Sequence, residues 1–293
     1  MKRSIITLCL LLITVVCAQC KKENPINYPV LEGPEGSTKN LFSVGLSKQV
    51  YFSKGNLQYQ ASTNTWRFAE NQWDIIGEAN VNVSPSYSGW IDLFLYGSSG
   101  FDGIYPYLLE LPDDKIDVGG MEISGTEYDW GVYNPISNGG NQAGLWRVLS
   151  KEEMVYLLSR QDANGNWLSG KGSLNKKDGS CDNGIFIMPD NYISNYSYPY
   201  GWVINENDLC GYGGVFISTL SGGRSFWNNS ISWYEDNPLL YVSSVGDCSY
   251  ENEEDHLKYG CVNDVLRISQ GTFWAYVNRH LTASVRLVQD YNE

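Results

Sequence analysis

The apolar residues of this chain come in short runs bounded by Gly, Asn, Asp or Pro, and that spacing most constrains its fold. Val50-Tyr-Phe52, Leu57-Gln-Tyr-Gln60, Thr65-Trp-Arg-Phe68, Gly184-Ile-Phe-Ile-Met188, Val215-Phe-Ile217, Leu239-Leu-Tyr-Val242, Val265-Leu-Arg-Ile268, Phe273-Trp-Ala-Tyr-Val277 and Ser284-Val-Arg-Leu-Val288 are each too short for a helix. Several alternate apolar with polar residues, the pattern of half-buried strands. Ala61-Ser-Thr-Asn64 reads as a hairpin turn between two of them. One helix stands out. Ser150-Lys-Glu-Glu153 is a capping box, and Met154, Leu157 and Leu158 follow on one face, so a helix is expected to run to about Arg160. Residues 80 to 145 are dense in Gly, Ser, Asn, Asp and Pro and carry Tyr87, Trp90, Phe94, Tyr96, Phe101, Trp130 and Tyr133. They predict long ordered loops pinned by aromatic side chains. The expected class is α+β.

The N-terminus reads as an export signal. Lys2 and Arg3 precede a mainly apolar stretch from Ile5 to Val16, followed by Cys17-Ala-Gln-Cys20. Such a stretch is too short to span a bilayer core as a helix. It resembles a bacterial lipoprotein signal in which Cys20 is lipidated, with Cys17 as a rival. The expected organisation is a lipoprotein signal over 1–19, a flexible tether over 20–40 and one domain over 41–293. The location expected is the bacterial cell envelope, anchored to the outer membrane by lipid alone. With 20 Lys+Arg against 33 Asp+Glu the formal charge is −13, which argues against nucleic acid as a partner.

Four segments carry a family resemblance. Gly144-Leu-Trp-Arg-Val-Leu-Ser-Lys-Glu-Glu-Met-Val-Tyr-Leu-Leu-Ser-Arg160 resembles the Gly-Trp-Arg-Leu-Pro-Thr-x-x-Glu-Trp helix entry of the Fibrobacter succinogenes major paralogous domain, with Ser150 in place of Pro. Gly214-Val-Phe-Ile-Ser-Thr-Leu-Ser-Gly-Gly-Arg224, Tyr241-Val-Ser-Ser244 and Ala283-Ser-Val-Arg-Leu-Val288 follow in the family's order, so the resemblance covers residues 42 to 290. It implies a C-type-lectin-like fold related to formylglycine-generating enzymes: a small twisted mixed or antiparallel sheet with one or two helices and long loops.

The chemistry of those enzymes needs two reactive cysteines a few residues apart near the C-terminus. Here the nearest pair, Cys248 and Cys261, has twelve residues between its members. Beyond the tether lie Cys181, Cys210, Cys248 and Cys261, an even number that suits disulfides in an exported chain. Three pairings are possible. Cys181 with Cys210 and Cys248 with Cys261 are expected because each pair flanks one loop, with free thiols as the alternative. No nucleophile elbow, zinc motif, phosphate loop or calcium loop occurs. The acidic run Glu251-Asn-Glu-Glu-Asp255 lacks calcium-ligand spacing, and His256 and His280 form no site. No cofactor, metal or catalytic residue is therefore expected.

The aromatic residues are the functional signal, since exposed Trp and Tyr stack on sugar rings or anchor protein partners while Asn, Asp and Arg take the polar groups. The expected ligand-contacting set is Trp202, Asn205, Asp208, Arg224, Trp227, Trp233, Tyr234 and Asp236, with Tyr196, Tyr198 and Tyr200 beside Trp202. The reading is a non-catalytic binding or adhesion module for an unidentified surface glycan or protein. The rivals are a structural subunit of a surface assembly and an enzyme of the formylglycine type.

Overall fold

The computed structural model describes residues 31–82, 84–112, 114–115, 118, 121–218 and 282–292, together with the backbone of strands within 222–278. The α+β class expected from the sequence is found: three short α-helices accompany fourteen strands in small sheets among the described residues. Among the described residues the strands are divided over five sheets rather than gathered into one.

Strands β1 (Phe42–Gly45) and β2 (Lys48–Phe52) form a hairpin, followed by a second from β3 (Leu57–Gln60) and β4 (Thr65–Phe68). The second hairpin turns where the sequence predicts. A single 3-10 turn at Ala61–Thr63 ends on Asn64 at φ 49°, a left-handed conformation that Asn tolerates better than most residues. Helix α1 is Trp130–Tyr133 and α2 is Lys151–Leu158. The capping box of α2 forms in full: the Glu153 N–H donates to Ser150 Oγ at 3.2 Å, and the Ser150 N–H donates to Glu153 Oε2 at 2.9 Å. Burying Met154, Leu157 and Leu158 fixes the face predicted for it.

Next come β5 (Ser169–Asn175), β6 (Cys181–Ile187), β7 (Tyr200–Asn205), helix α3 (Glu206–Tyr212) and β8 (Val215–Ser218). These strands form a four-stranded sheet, ordered β7-β5-β6-β8, with β5 and β7 parallel and the other pairs antiparallel. Strand β8 and residues 184–187 of β6 are buried on both faces. Ile185, Ile187, Val215 and Ile217 pack with Phe42, Phe52 and Leu157 on one side. Phe186, Phe216, Trp202 and Leu209 pack together on the other.

The backbone continues through β9 (Gly222–Ser225) paired with β10 (Ser230–Trp233), and through β11 (Leu240–Tyr241), β12 (Val262–Ser269) and β13 (Thr272–Asn278). The chain closes on β14 (Val288–Asp290), which returns to pair with β2. Arg286, two residues before it, is a fully buried cross-brace. Its guanidinium donates to Asn56 Oδ1 and to the carbonyls of Ser53, Gln72 and Phe216 at 3.1–3.2 Å. Burial pushes its pKa down to about 9, and carbonyl acceptors from three separate segments hold the charge in place.

Candidate functional site

The segment from Tyr192 to Asn205 holds the most exposed aromatic pair among the described residues, and its placement follows from one buried ring. Trp202 is wholly buried, lying between Tyr196 at 4.4 Å and Phe186 at 6.2 Å with all three rings nearly parallel. The neighbouring strand makes room for the indole: a Cβ on Gly170 would lie 2.5 Å from the Trp202 ring, and one on Gly172 2.0 Å from the Trp202 carbonyl. The indole Nε1 donates to the Tyr198 carbonyl at 2.9 Å, which pins the turn that carries Tyr198.

The register then does something that period two does not predict. Lys171 pairs with Tyr200 while Gly172 pairs with Trp202, so Gly201 is an extra residue on β7. Gly201 has φ 77°, the left-handed conformation a bulge of this kind favours in glycine. The bulge reverses the alternation. Tyr200 and Trp202 would otherwise share a face; here Trp202 enters the core and Tyr200 turns outward with Val203 and Asn205. Tyr198 and Tyr200 are 65% and 66% exposed, with ring centroids 5.7 Å apart and planes 25° from parallel.

The ground beneath is fixed by polar contacts. Asp162 accepts from the backbone N–H groups of Asn164, Asn166 and Ser194, each at 2.9 Å, and the Trp167 N–H donates to the Tyr196 carbonyl at 3.0 Å. Burial alone would raise the Asp162 pKa, but the donors of Asn166, Asn164 and Ser194 hold it below the usual carboxylate range. The outer edge of β7 is closed at its midpoint. The Tyr196 hydroxyl accepts from the Val203 N–H at 3.1 Å and donates to the Val203 carbonyl at 2.9 Å.

Trp202 was expected at the recognition surface, and its place in the core corrects that expectation: the bulge at Gly201 gives Tyr200 the outward position instead. Asn205 and Asp208 are exposed at the start of α3, where Asn205 Nδ2 donates to Asp208 Oδ2 at 3.3 Å. Arg224 lies on β9 and Trp233 on β10, both in backbone only, so they are not brought to this site by any described contact. Trp227, Tyr234 and Asp236 lie outside the described residues, as do Cys20, Cys248, Cys261, His256, His280 and the acidic run 251–255.

The expected bridge between Cys181 and Cys210 is also corrected, since both are free thiols. The reason is the parity of the strand. Cys181 falls on the same face of β6 as Ile185 and Ile187, whereas α3 packs its Leu209 against Phe186 and Trp202 on the opposite face. The loop is tied by ionic contacts: Lys177 Nζ lies 3.1 Å from Glu206 Oε1, and the Lys177 N–H donates to Glu206 Oε2 at 2.9 Å. Cys210 opens onto a cleft of about 190 Å³ shared with Trp73 and the Lys54–Glu70 ion pair. Burial, aided by Glu206, pushes its thiol pKa up and so disfavours the reactive thiolate. Among the described residues, no group of three or more His, Cys, Asp or Glu could hold a metal ion, and no helix is long and apolar enough to cross a membrane.

Fold and site together define a class, a mixed α+β protein of small sheets with a tyrosine pair displayed beside an edge strand. Comparison with known proteins finds no matching family model, no matching curated protein and no matching solved structure.

Proposed function

We propose that this chain is a non-catalytic recognition module of C-type-lectin-like fold, held at the bacterial cell envelope by a lipid on Cys20 and binding a surface glycan or protein through exposed aromatic residues. The observation that carries the reading is the Tyr198–Tyr200 pair. Two large amphipathic rings are two-thirds exposed while a buried tryptophan beside them holds their backbone, so little conformational freedom remains to be lost on binding. Rings left in water by a rigid support suit contact better than stability. The leader and the resemblance over residues 42 to 290 supply the rest of the proposal.

The test uses the full chain expressed in a bacterium that processes lipoproteins. Wild type should partition with membranes and Cys20→Ser should be released, while Cys17→Ser should stay bound. Purified protein should bind bacterial surface extracts, and a double Tyr198→Ala, Tyr200→Ala variant should lose that binding with its thermal melt unchanged. An unmodified mature N-terminus by mass spectrometry would remove the anchor, and binding indifferent to both tyrosines would remove the site.

A further inference from the structure

We infer that the ligand of the Tyr198–Tyr200 platform is the ring face of a neutral polysaccharide; this rests on the recognition reading above and names its ligand. Three observations carry it.

The first is shape. The two rings lie 25° from parallel beside a sheet face and are about two-thirds exposed. A pyranose presents one face of C–H bonds that packs on such rings, and it directs its hydroxyls sideways. On the same outward face of the sheet, register places Ser173 opposite Val203 and Asn183 opposite Ser173, with Ser173 Oγ donating to Asn183 Oδ1 at 2.8 Å. Asn205 follows two residues beyond Val203. Ser173, Asn183 and Asn205 are uncharged groups able both to give and to accept hydrogen bonds, as sugar hydroxyls require, and Lys171, opposite Tyr200 on the same face, adds a donor.

The second is charge. The carboxylates of β6 and of the start of α3 are engaged within the protein: Glu206 with Lys177, Asp182, which lies on the opposite face, with Lys176 at 3.1 Å, and Asp208 with Asn205. The chain as a whole carries a formal charge of −13, which opposes sulfated or uronic-acid polymers. A neutral chain avoids that repulsion.

The third concerns the rival, an extended peptide. A peptide binding at a sheet edge adds a strand by pairing with outward N–H and C=O groups. At β7 the central pair of such groups, on Val203, is already occupied by the Tyr196 hydroxyl. Strand addition is blocked at the middle of the edge, while the ring faces of Tyr198 and Tyr200 stay open.

The experiment is affinity electrophoresis of the full chain through gels containing hydroxyethylcellulose, xyloglucan, galactomannan or amylose, with polygalacturonate as the charged comparison. At least one neutral polymer should retard wild type. Tyr198→Ala and Tyr200→Ala should each weaken that retardation about tenfold, as expected for an anchor residue, with melts unchanged. Tyr196→Phe, which opens the strand edge and leaves the platform in place, should keep polysaccharide binding. Retardation by none of the neutral polymers overturns the inference, as does retardation by polygalacturonate alone or binding indifferent to both tyrosines. If polysaccharide binding fails while tyrosine-dependent capture by bacterial surface proteins persists, the sugar assignment falls and the recognition reading stands. If both fail, the recognition reading falls as well.

Discussion

Residues 84–145 and residues 192–205 share a composition, aromatics set among Gly, Ser, Asn and Pro, and use it in opposite ways. In the first region Phe94, Tyr96 and Trp130 are wholly buried and join Trp66, Trp146 and Val285 in one core cluster, with Tyr105 and Tyr133 as the exposed exceptions. Loops there are stapled from within by buried carboxylates. Asp129 accepts from the N–H groups of Gly131, Val148 and Gly125, and Asp92 from Ile76 N–H and Asn80 Nδ2. In the second region Tyr192 and Trp202 are buried, and the two tyrosines just before Trp202 in sequence, Tyr198 and Tyr200, stand in water. Aromatic content therefore marks where a chain needs anchoring, and the local register decides which rings are left at the surface.

The comparison can be broken by removing an anchor from each region. Trp202→Ala and Trp130→Ala should each cost about 3–5 kcal/mol in denaturant unfolding, because each leaves an indole-sized void. Only Trp202→Ala should also disorder the Tyr198 turn and weaken ligand capture beyond what the stability loss accounts for. Equal binding losses in the two variants would show that the platform has no private anchor.

Acid titration sharpens the contrast. Burial raises the Asp129 pKa to about 7 and the Asp92 pKa to about 6, outweighing their donors. In that region the folded state holds protons that an unfolded carboxyl releases near pH 3.9, so stability falls as pH rises from about 4 to about 7, on the order of 3 kcal/mol for Asp92 and about 4 kcal/mol for Asp129. Asp162, beneath the platform, is shifted the other way, and its contribution is lost as pH falls below the ordinary carboxylate value. Thermal melts from pH 3 to 8 should therefore peak near about pH 4, where the alkaline loss begins and the acid loss has not yet set in. Replacing Asp129 by Asn should flatten the alkaline side, and replacing Asp162 by Asn the acid side. An alkaline limb unchanged by Asp129→Asn would assign that slope elsewhere.

Gly201→Ala should cost about 1–2 kcal/mol, from the left-handed backbone alone, since nothing lies within 4 Å of the position a Cβ would take. Its more telling readout is tyrosine exposure, because a relaxed bulge lets Tyr200 exchange faces with Trp202. Ultraviolet difference spectroscopy should report that change, and an unperturbed tyrosine spectrum would separate the bulge from the platform. Smallest of all, Tyr196→Phe should cost about 1 kcal/mol or less, the loss of hydroxyl contacts to the half-exposed Val203 backbone. Analytical ultracentrifugation of that variant should detect self-association through the opened edge, which a purely passive hydroxyl would not produce.

Local signals survived folding where their partners are sequence neighbours. The helix entry at Ser150 and Glu153 needs only residues three apart, and the hairpin at Asn64 needs only a residue that tolerates positive φ. The strand at Val215–Ser218 was legible for a related reason, since a short apolar run between glycines has few other uses. The candidate site was legible in part. The sequence pointed to the aromatic stretch around Tyr198, Tyr200 and Trp202, yet period two assigns Tyr200 and Trp202 to one face, and a glycine in a strand does not announce whether it inserts a bulge. The sign of that choice depends on β5, where Gly170 and Gly172 leave space for an indole some thirty residues away in sequence. Cysteine pairing failed for the same reason, because flanking one loop says nothing of which side of a sheet each thiol faces. Sequence by itself determined the α+β class, the capped helix and the aromatic segment, since these rest on contacts between near neighbours. Tertiary structure alone decided which rings are buried, which thiols stay apart and how carbonyls hold the buried Arg286 charge, because each depends on strands brought together from distant parts of the chain.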